Sequence, residues 1–294
     1  MGAKLPGQTA NDLDNARVAA DRLQQAAALI REDPERQGNL LRFGSAGQLV
    51  MTGDLHGNLR NFDKLQRFCR LERSPGRRVV LQELIHDDPL SAPVDLSIRL
   101  LVRAAAWKCD FPDNVYFLQS NHELSQLRRH EISKGGRSVI HDFERGVQQL
   151  YGPEADLVLA AADDYLRSLP LAARLANRVF LSHSLPDLLS VGLFDPSIFE
   201  RELTERDMEP GGSTYALVWG RYHSPQLLEL LAQRLDADIF ITGHMPQEMG
   251  YAVVGRLIIL ASEHAHGTFL PIDLSRRYTV DELAGAIRKF VEIE

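Results

Sequence analysis

Gly53-Asp54-Leu55-His56-Gly57-Asn58 is the stretch on which the reading of this chain turns. It follows the apolar run Leu49-Val50-Met51 and precedes a helical pattern over 60–70, which puts it on the loop leaving a strand. A carboxylate and an imidazole two residues apart on such a loop reach one metal ion together, and Gly57 lets the backbone pass close by. Alone, the pair is weak evidence, because many solvated turns carry one Asp and one His. Its weight comes from later strand ends that carry metal-competent side chains. Glu83 lies near the end of the run 79–85, and Asn121 and His122 follow the run 115–119. His183 follows the run 179–182, and His244 follows 239–242 after a glycine. So many strand ends in succession are hard to explain as independent accidents. Oxygen and imidazole donors without thiolate suit Mn²⁺, Fe or Zn²⁺ rather than a structural zinc site.

The composition bounds the alternatives. At 294 residues, 44% hydrophobic and 25% charged, the chain has the make-up of an ordinary soluble globular protein with ample core. A formal net charge of −7 argues against sequence-independent nucleic-acid binding, which runs on Lys and Arg contacts to phosphates. The short cluster Arg73, Arg77 and Arg78 reads as a solvated turn. Cys69 and Cys109 lack the spacing of a zinc ribbon or a disulfide framework. With no signal-peptide layout and no membrane-length apolar run, a reduced, cytoplasmic location is expected, with no membrane partner.

From Leu13 to Ile30 the apolar residues fall three and four apart, the spacing of one helix face, after a flexible lead-in over 1–10. The pattern then predicts strands at 48–52, 79–85, 115–119 and 178–182, with helices at 60–70 and 94–108 between them. Residues 124–174 read as mainly helical, and 196–206 as a short helix. Further on come a helix over 225–234, a strand over 239–242 and a hairpin about Gly255-Arg256. A strand over 269–272 and a closing helix over 280–291 end the chain. Alternation of this kind implies parallel strands joined by crossovers, with functional loops at the strands' C-terminal ends. No linker interrupts it, so one domain over 1–294 is expected, with an N-terminal helical extension to about residue 45.

Taken together, Gly53 to Asn58, Asn121-His122-Glu123, His183 and Gly243-His244 resemble the calcineurin-like metallophosphoesterases. The similarity is nearest to their phosphoprotein (serine/threonine) phosphatase branch, through Leu169-Pro170-Leu171-Ala172-Ala173 and Val218-Trp219-Gly220-Arg221. It covers residues 48–274. The resemblance implies an α/β fold, a four-layer α/β/β/α sandwich, with two divalent metal ions at one edge. Carried over by position, Asp54, His56 and Glu83 would hold the first ion. Glu83 as a bridge, Asn121, His183 and His244 would hold the second. His122 would be the general acid, Arg221 would hold phosphate oxygens, and a metal-bridging hydroxide would be the nucleophile.

One motif departs from the family. Where relatives have Gly-Asp-x-x-Asp-Arg-Gly, this chain has Gln82-Glu83-Leu84-Ile85-His86-Asp87-Asp88. Glu83 lengthens the bridge by one methylene, His86 stands where an Asp supports the catalytic His, and Asp87 replaces a phosphate-binding Arg. His86 can equally be a hydrogen-bonded core residue. The expected activity is metal-dependent hydrolysis of a phosphoprotein or small phosphomonoester. The alternatives are a dinucleoside-polyphosphate or phosphodiester hydrolase, and a pseudophosphatase that binds without turnover. Among the other histidines, His130 and His141 read as surface residues, while His223, His264 and His266 lie where they can line a pocket.

Overall fold

The computed structural model describes residues 10–88 and 93–294, so most of the lead-in expected over 1–10 lies outside the described residues. The strands are β1 (Arg36–Gln37), β2 (Leu40–Phe43), β3 (Gln48–Asp54), β4 (Arg77–Gln82) and β5 (Val115–Leu118). They continue with the small hairpin β6 (Ser133–Lys134) and β7 (Arg137–Ser138), then β8 (Ala172–Leu175), β9 (Val179–Ser182) and β10 (Ile239–Thr242). β11 (Tyr251–Val254), β12 (Leu257–Leu260), β13 (Thr268–Asp273) and β14 (Arg288–Lys289) complete the set. One sheet has the order β14-β13-β3-β4-β5 and the other β1-β2-β8-β9-β10-β12-β11. β3, β4 and β5 run parallel, as do β9, β10 and β12. Crossovers of this kind leave the strand ends on one edge free to carry chemistry.

Three apolar clusters define the layers. The two sheets face each other across Leu49, Met51, Val80, Leu181, Ile241 and Ile258. The helices α1 (Ala16–Arg31), α2 (Leu59–Cys69), α3 (Ile98–Asp110), α5 (Val139–Tyr151) and α6 (Ala155–Ser168) cover the outer face of the first sheet. The helix α4 (Asn121–Arg128) leaves β5 at the site edge. The helices α8 (Ser213–Trp219) and α9 (Pro225–Arg234) cover the second sheet; α7 (Glu205–Met208) is a single turn beside α8. The result is the expected four-layer α/β/β/α sandwich. At one corner the sheets converge: Asp54 bridges to Ala261 just beyond β12. A Cβ on Gly53 would lie 2.1 Å from the Leu260 carbonyl oxygen, so only glycine permits that approach.

The structure departs from the sequence expectations in several places. The helix read from Leu13 to Ile30 is there as α1, but β2 lies within the stretch assigned to an N-terminal helical extension and enters the second sheet, parallel to β8. β8 begins within the last residues of the region read as helical, 124–174. The closing helix (α10) covers only Val280–Ala284, stops at Gly285, and gives way to β14, which pairs with β13. β4 ends at Gln82, which leaves Glu83 in the loop beyond it.

Candidate metal centre

The first motif is held by its own side chains. Asn58 starts α2 by accepting from the Asn61 N–H at 2.9 Å, and its amide donates to the Glu263 carbonyl at 2.7 Å. The backbone N–H groups of Leu55 and His56 both donate to the Glu83 carbonyl, which locks this loop onto the one after β4. Gly57 has φ +72, and a Cβ there would collide with the Asp87 carboxylate at 1.7 Å. His56, Glu83, His86 and His244 all have left-handed φ values, between +40 and +68. Non-glycine residues adopt that region at a cost, one commonly found where a site must aim its side chains.

The six metal-candidate residues come together at this corner, and Glu83 is at their centre. Its Oε1 is 2.8 Å from His56 Nε2 and its Oε2 is 2.9 Å from His183 Nε2. Asn121 Oδ1 lies 2.7 Å from the same His183 nitrogen and 3.0 Å from His244 Nδ1. Asp54 accepts the His244 backbone N–H through both carboxylate oxygens, at 3.0 and 2.9 Å, and its Oδ1 is 3.6 Å from His183 Nδ1. His122 Nε2 is 3.8 Å from Glu83 Oε1. His56, Glu83 and His122 form one group able to surround an ion; Asp54, Glu83 and His183 form another.

The directions of the hydrogen bonds around these side chains leave room for cations. Gln82 donates through Nε2 to the Thr52 carbonyl at 2.9 Å, which fixes its Oε1 as an acceptor 3.0 Å from His183 Nδ1. The neutral His183 ring therefore carries its proton on Nδ1 and presents a lone pair at Nε2. His56 is held the same way, its Nδ1 facing the carbonyls of Ile85 and His86 at 3.1 and 2.9 Å. The lone pair at His183 Nε2 then faces Asn121 Oδ1 and Glu83 Oε2, two oxygens that offer it no proton, with His244 Nδ1 beside them at 3.2 Å. Glu83 Oε2, buried and 2.9 Å from that lone pair, receives no proton from the neutral ring and has no other hydrogen bond among the described residues. A cation relieves such a cage, and the donor set fits a divalent ion with imidazole and oxygen ligands.

The electrostatics agree. Burial raises the Glu83 pKa, but the imidazoles of His183, His122 and His56 outweigh it and hold the group well below the usual range. Burial, with the Glu83 charge beside it, pushes Asp54 up to about 7. Burial lowers His183, yet Glu83 and Asp54 raise it above the ordinary value. His244 is driven well below it by burial and then by the charges of His183 and Arg221. The centre thus demands positive charge where its lone pairs meet.

These groups open onto a cavity of about 760 Å³, lined also by Asp87, Asp88, Trp219, Arg221 and Glu263. Among the described residues Arg221 is the one guanidinium lining it. His264 lines it too, but both ring nitrogens are committed, to the Gln247 carbonyl and the His266 N–H. His223 is buried against the Leu185 carbonyl, and neither it nor His266 lines the cavity. His130 pairs with Glu209, and His141 is exposed.

Sequence reading missed the residues that hold the centre in shape. Gln82 was seen only as a departure from a motif, and its partner lies 101 residues away. Glu123 is buried, accepts the Leu84 N–H at 2.7 Å and contacts the Ser120 hydroxyl, so it pins the Glu83 loop to α4. Burial, with Glu83 nearby, pushes its carboxyl up to about 7. Gln126 meets His86. A polar side chain at the last position of an apolar strand, as at Gln82, was the available signal.

Comparison with known proteins places the arrangement. Residues 48–248 match the family model described as calcineurin-like phosphoesterase. A probable serine/threonine-protein phosphatase from Encephalitozoon cuniculi is 27% identical over 150 residues, which are 51% of this chain and 29% of that protein. The chain thus spans less than a third of the length of that curated relative. A protein serine/threonine phosphatase from Saccharomyces cerevisiae, with similarity to human PP5, superposes with a TM-score of 0.67 at 14% identity, covering 87% of this chain and 82% of that one. A cold-active protein-tyrosine phosphatase from a psychrophilic Shewanella gives 0.54 at 15% identity, covering 85% and 80%. At those identities the structural matches establish the fold, and the family match covers more than half of the chain: it belongs to the calcineurin-like phosphoesterase family, whose class is metal-dependent phosphoester hydrolysis.

Proposed function

We propose that this chain is a dinuclear metal-dependent phosphohydrolase acting on a phosphoprotein or a small phosphomonoester. The observation that carries the reading is Glu83, with one oxygen turned to His56 and the other to His183. Asp54, His56 and Glu83 would hold one divalent ion; Glu83, Asn121, His183 and His244 would hold the second, as Mn²⁺, Fe or Zn²⁺. When bound, such a pair clamps phosphate oxygens, makes water a competent nucleophile and offsets the charge of the transition state. Gln82 keeps the His183 lone pair aimed inward. Arg221, which has no ion-pair partner among the described residues, holds the equatorial oxygens. His122 Nε2 faces the cavity and gives its proton to the leaving oxygen, a role worth about 10²–10⁴ in rate.

Asp87, Asp88 and Glu263 on the cavity wall favour a second reading, in which a phosphodiester or phosphoanhydride is the better substrate. A diester, or an internal phosphate of an anhydride, carries less charge at the attacked phosphorus than a monoester dianion. No described helix is long and apolar enough to cross a membrane. The unpaired Cys69 and Cys109 support a reduced, cytoplasmic setting.

The test is elemental analysis after Mn²⁺ reconstitution, joined to turnover of p-nitrophenyl phosphate and a phosphoserine peptide. Two ions per chain and hydrolysis of either substrate are expected, and His244→Ala should lose one ion while keeping the other. One ion or none in the parent would overturn the dinuclear assignment; two ions without turnover on any phosphoester would favour a binding protein.

A further inference from the structure

The loop after β4 carries a buried chain of contacts that the assignments above leave unused. His86 Nε2 lies 2.9 Å from Gln126 Oε1, and His86 Nδ1 lies 2.8 Å from His122 Nδ1. All three residues are buried. Gln126 turns its amide oxygen to His86, and its amide nitrogen has no hydrogen-bond partner among the described residues. The His86 backbone is held by its N–H to Ser97 Oγ at 2.9 Å and by a φ of +65, and Phe143 packs edge-on against its ring.

An amide oxygen only accepts, so it calls for a proton on His86 Nε2. The neutral His86 ring then offers a lone pair at Nδ1. Two facing Nδ1 atoms at 2.8 Å need one proton between them, and it must therefore belong to His122. From this we infer that Gln126 and His86 are positioning residues for His122. They hold its ring in the Nδ1–H tautomer, with Nε2 turned to the cavity.

The consequence for the proposed reaction is specific. As the bond from phosphorus to the leaving oxygen breaks, the electron pair stays on that oxygen. The Nε2–H bond of the charged His122 ring breaks as the new O–H bond forms. What remains is neutral His122 with its proton on Nδ1, already the tautomer that His86 and Gln126 accept. Nothing else has to reorganise. A neutral imidazole thus supplies the orientation that a carboxylate would supply by charge, and the amide of Gln126 decides which face of that imidazole is the acceptor.

This inference rests on the hydrolase reading for its kinetic arm only. The structural arm is ¹⁵N NMR of the histidine-labelled 294-residue chain with Zn²⁺ at alkaline pH. His122 should appear as the Nδ1–H tautomer, and Gln126→Met should turn it into a mixture. A parent His122 protonated on Nε2, or a tautomer unmoved by Gln126→Met, would overturn the inference. In the kinetic arm, Gln126→Met should raise the kcat/KM ratio of p-nitrophenyl phosphate to phenyl phosphate by about tenfold, within the range of a compromised general acid. Gln126→Glu, which keeps the acceptor, should return the ratio to within about threefold of the parent. An equal loss on both substrates would mean that Gln126 merely supports the fold. A parent inactive on both would overturn the hydrolase reading, and the NMR result would still decide the tautomer.

Discussion

At the scale of single residues, Asp87 shows how position alone misleads. It stands where relatives carry a phosphate-binding Arg, and it does line the cavity. Its Oδ2 also accepts the Leu96 N–H at 3.0 Å, so it shapes its own loop. Burial raises its pKa, against the pull of that N–H and of His56. Two unit charges about 5 Å apart at an effective dielectric near 20 interact by roughly 3 kcal/mol before screening. Asp87→Asn removes the charge and keeps an acceptor for Leu96. It should raise the monoester-to-diester ratio of kcat/KM, read with p-nitrophenyl and bis-p-nitrophenyl phosphate, by about tenfold, or roughly 1.4 kcal/mol. A flat ratio with metals retained would mean that this carboxylate does not face the attacked phosphorus. The metal-candidate side chains were visible in the sequence because each follows a recognisable strand end. Gln82 and Gln126 were not, because their meaning lies in partners across the fold.

At the scale of elements, the loop between β4 and α3 decides how the centre is presented. Asp95 is buried there, accepts the Ser97 N–H at 2.9 Å, and has its second oxygen unpaired among the described residues. Burial pushes it up to about 6, although the Ser97 hydrogen bonds pull the other way. The unfolded chain gives up this proton near pH 4 and the folded chain only near 6, so above the lower value the folded state binds more protons. Stability is therefore fully present below about pH 4 and falls as the pH rises towards 6, by about 3 kcal/mol in total. Urea titrations of the parent and Asp95→Asn should show the difference between them growing across that window; parallel curves would rule it out. Helices and strands with a full apolar pattern were legible: α1, α2, α9, β10 and the β11–β12 hairpin sit close to where periodicity put them. β2 and β8 were not. Each is four residues long and is held by neighbours distant in the chain: β2 pairs with β8 from Leu40 with Ala172 to Phe43 with Leu175, and β8 pairs with β9 on its other side.

For the molecule as a whole, the layers are tied by contacts that no local pattern announces. Lys108, at the end of α3, meets Asp33 at 2.7 Å, donates to the Pro112 carbonyl and lies over the Tyr116 ring on β5. Both charges are buried, and burial lowers the Lys108 pKa against the pull of Asp33. Asp33→Ala would strand the ammonium and should cost about 3–5 kcal/mol in urea denaturation, while an apolar pair at both positions should recover most of it. A loss below about 1 kcal/mol would show that water reaches the pair. The sequence by itself determined the class of fold, since strand and helix periodicities and the loops that end them are local properties. It also determined the kinds of donor available at those loops. Only the tertiary structure decided which lone pairs meet around Glu83, which tautomer each imidazole presents, and which carboxylates face the cavity. Those are properties of pairs far apart in the chain, set by two sheets converging at Gly53 and by loops locked together through backbone hydrogen bonds.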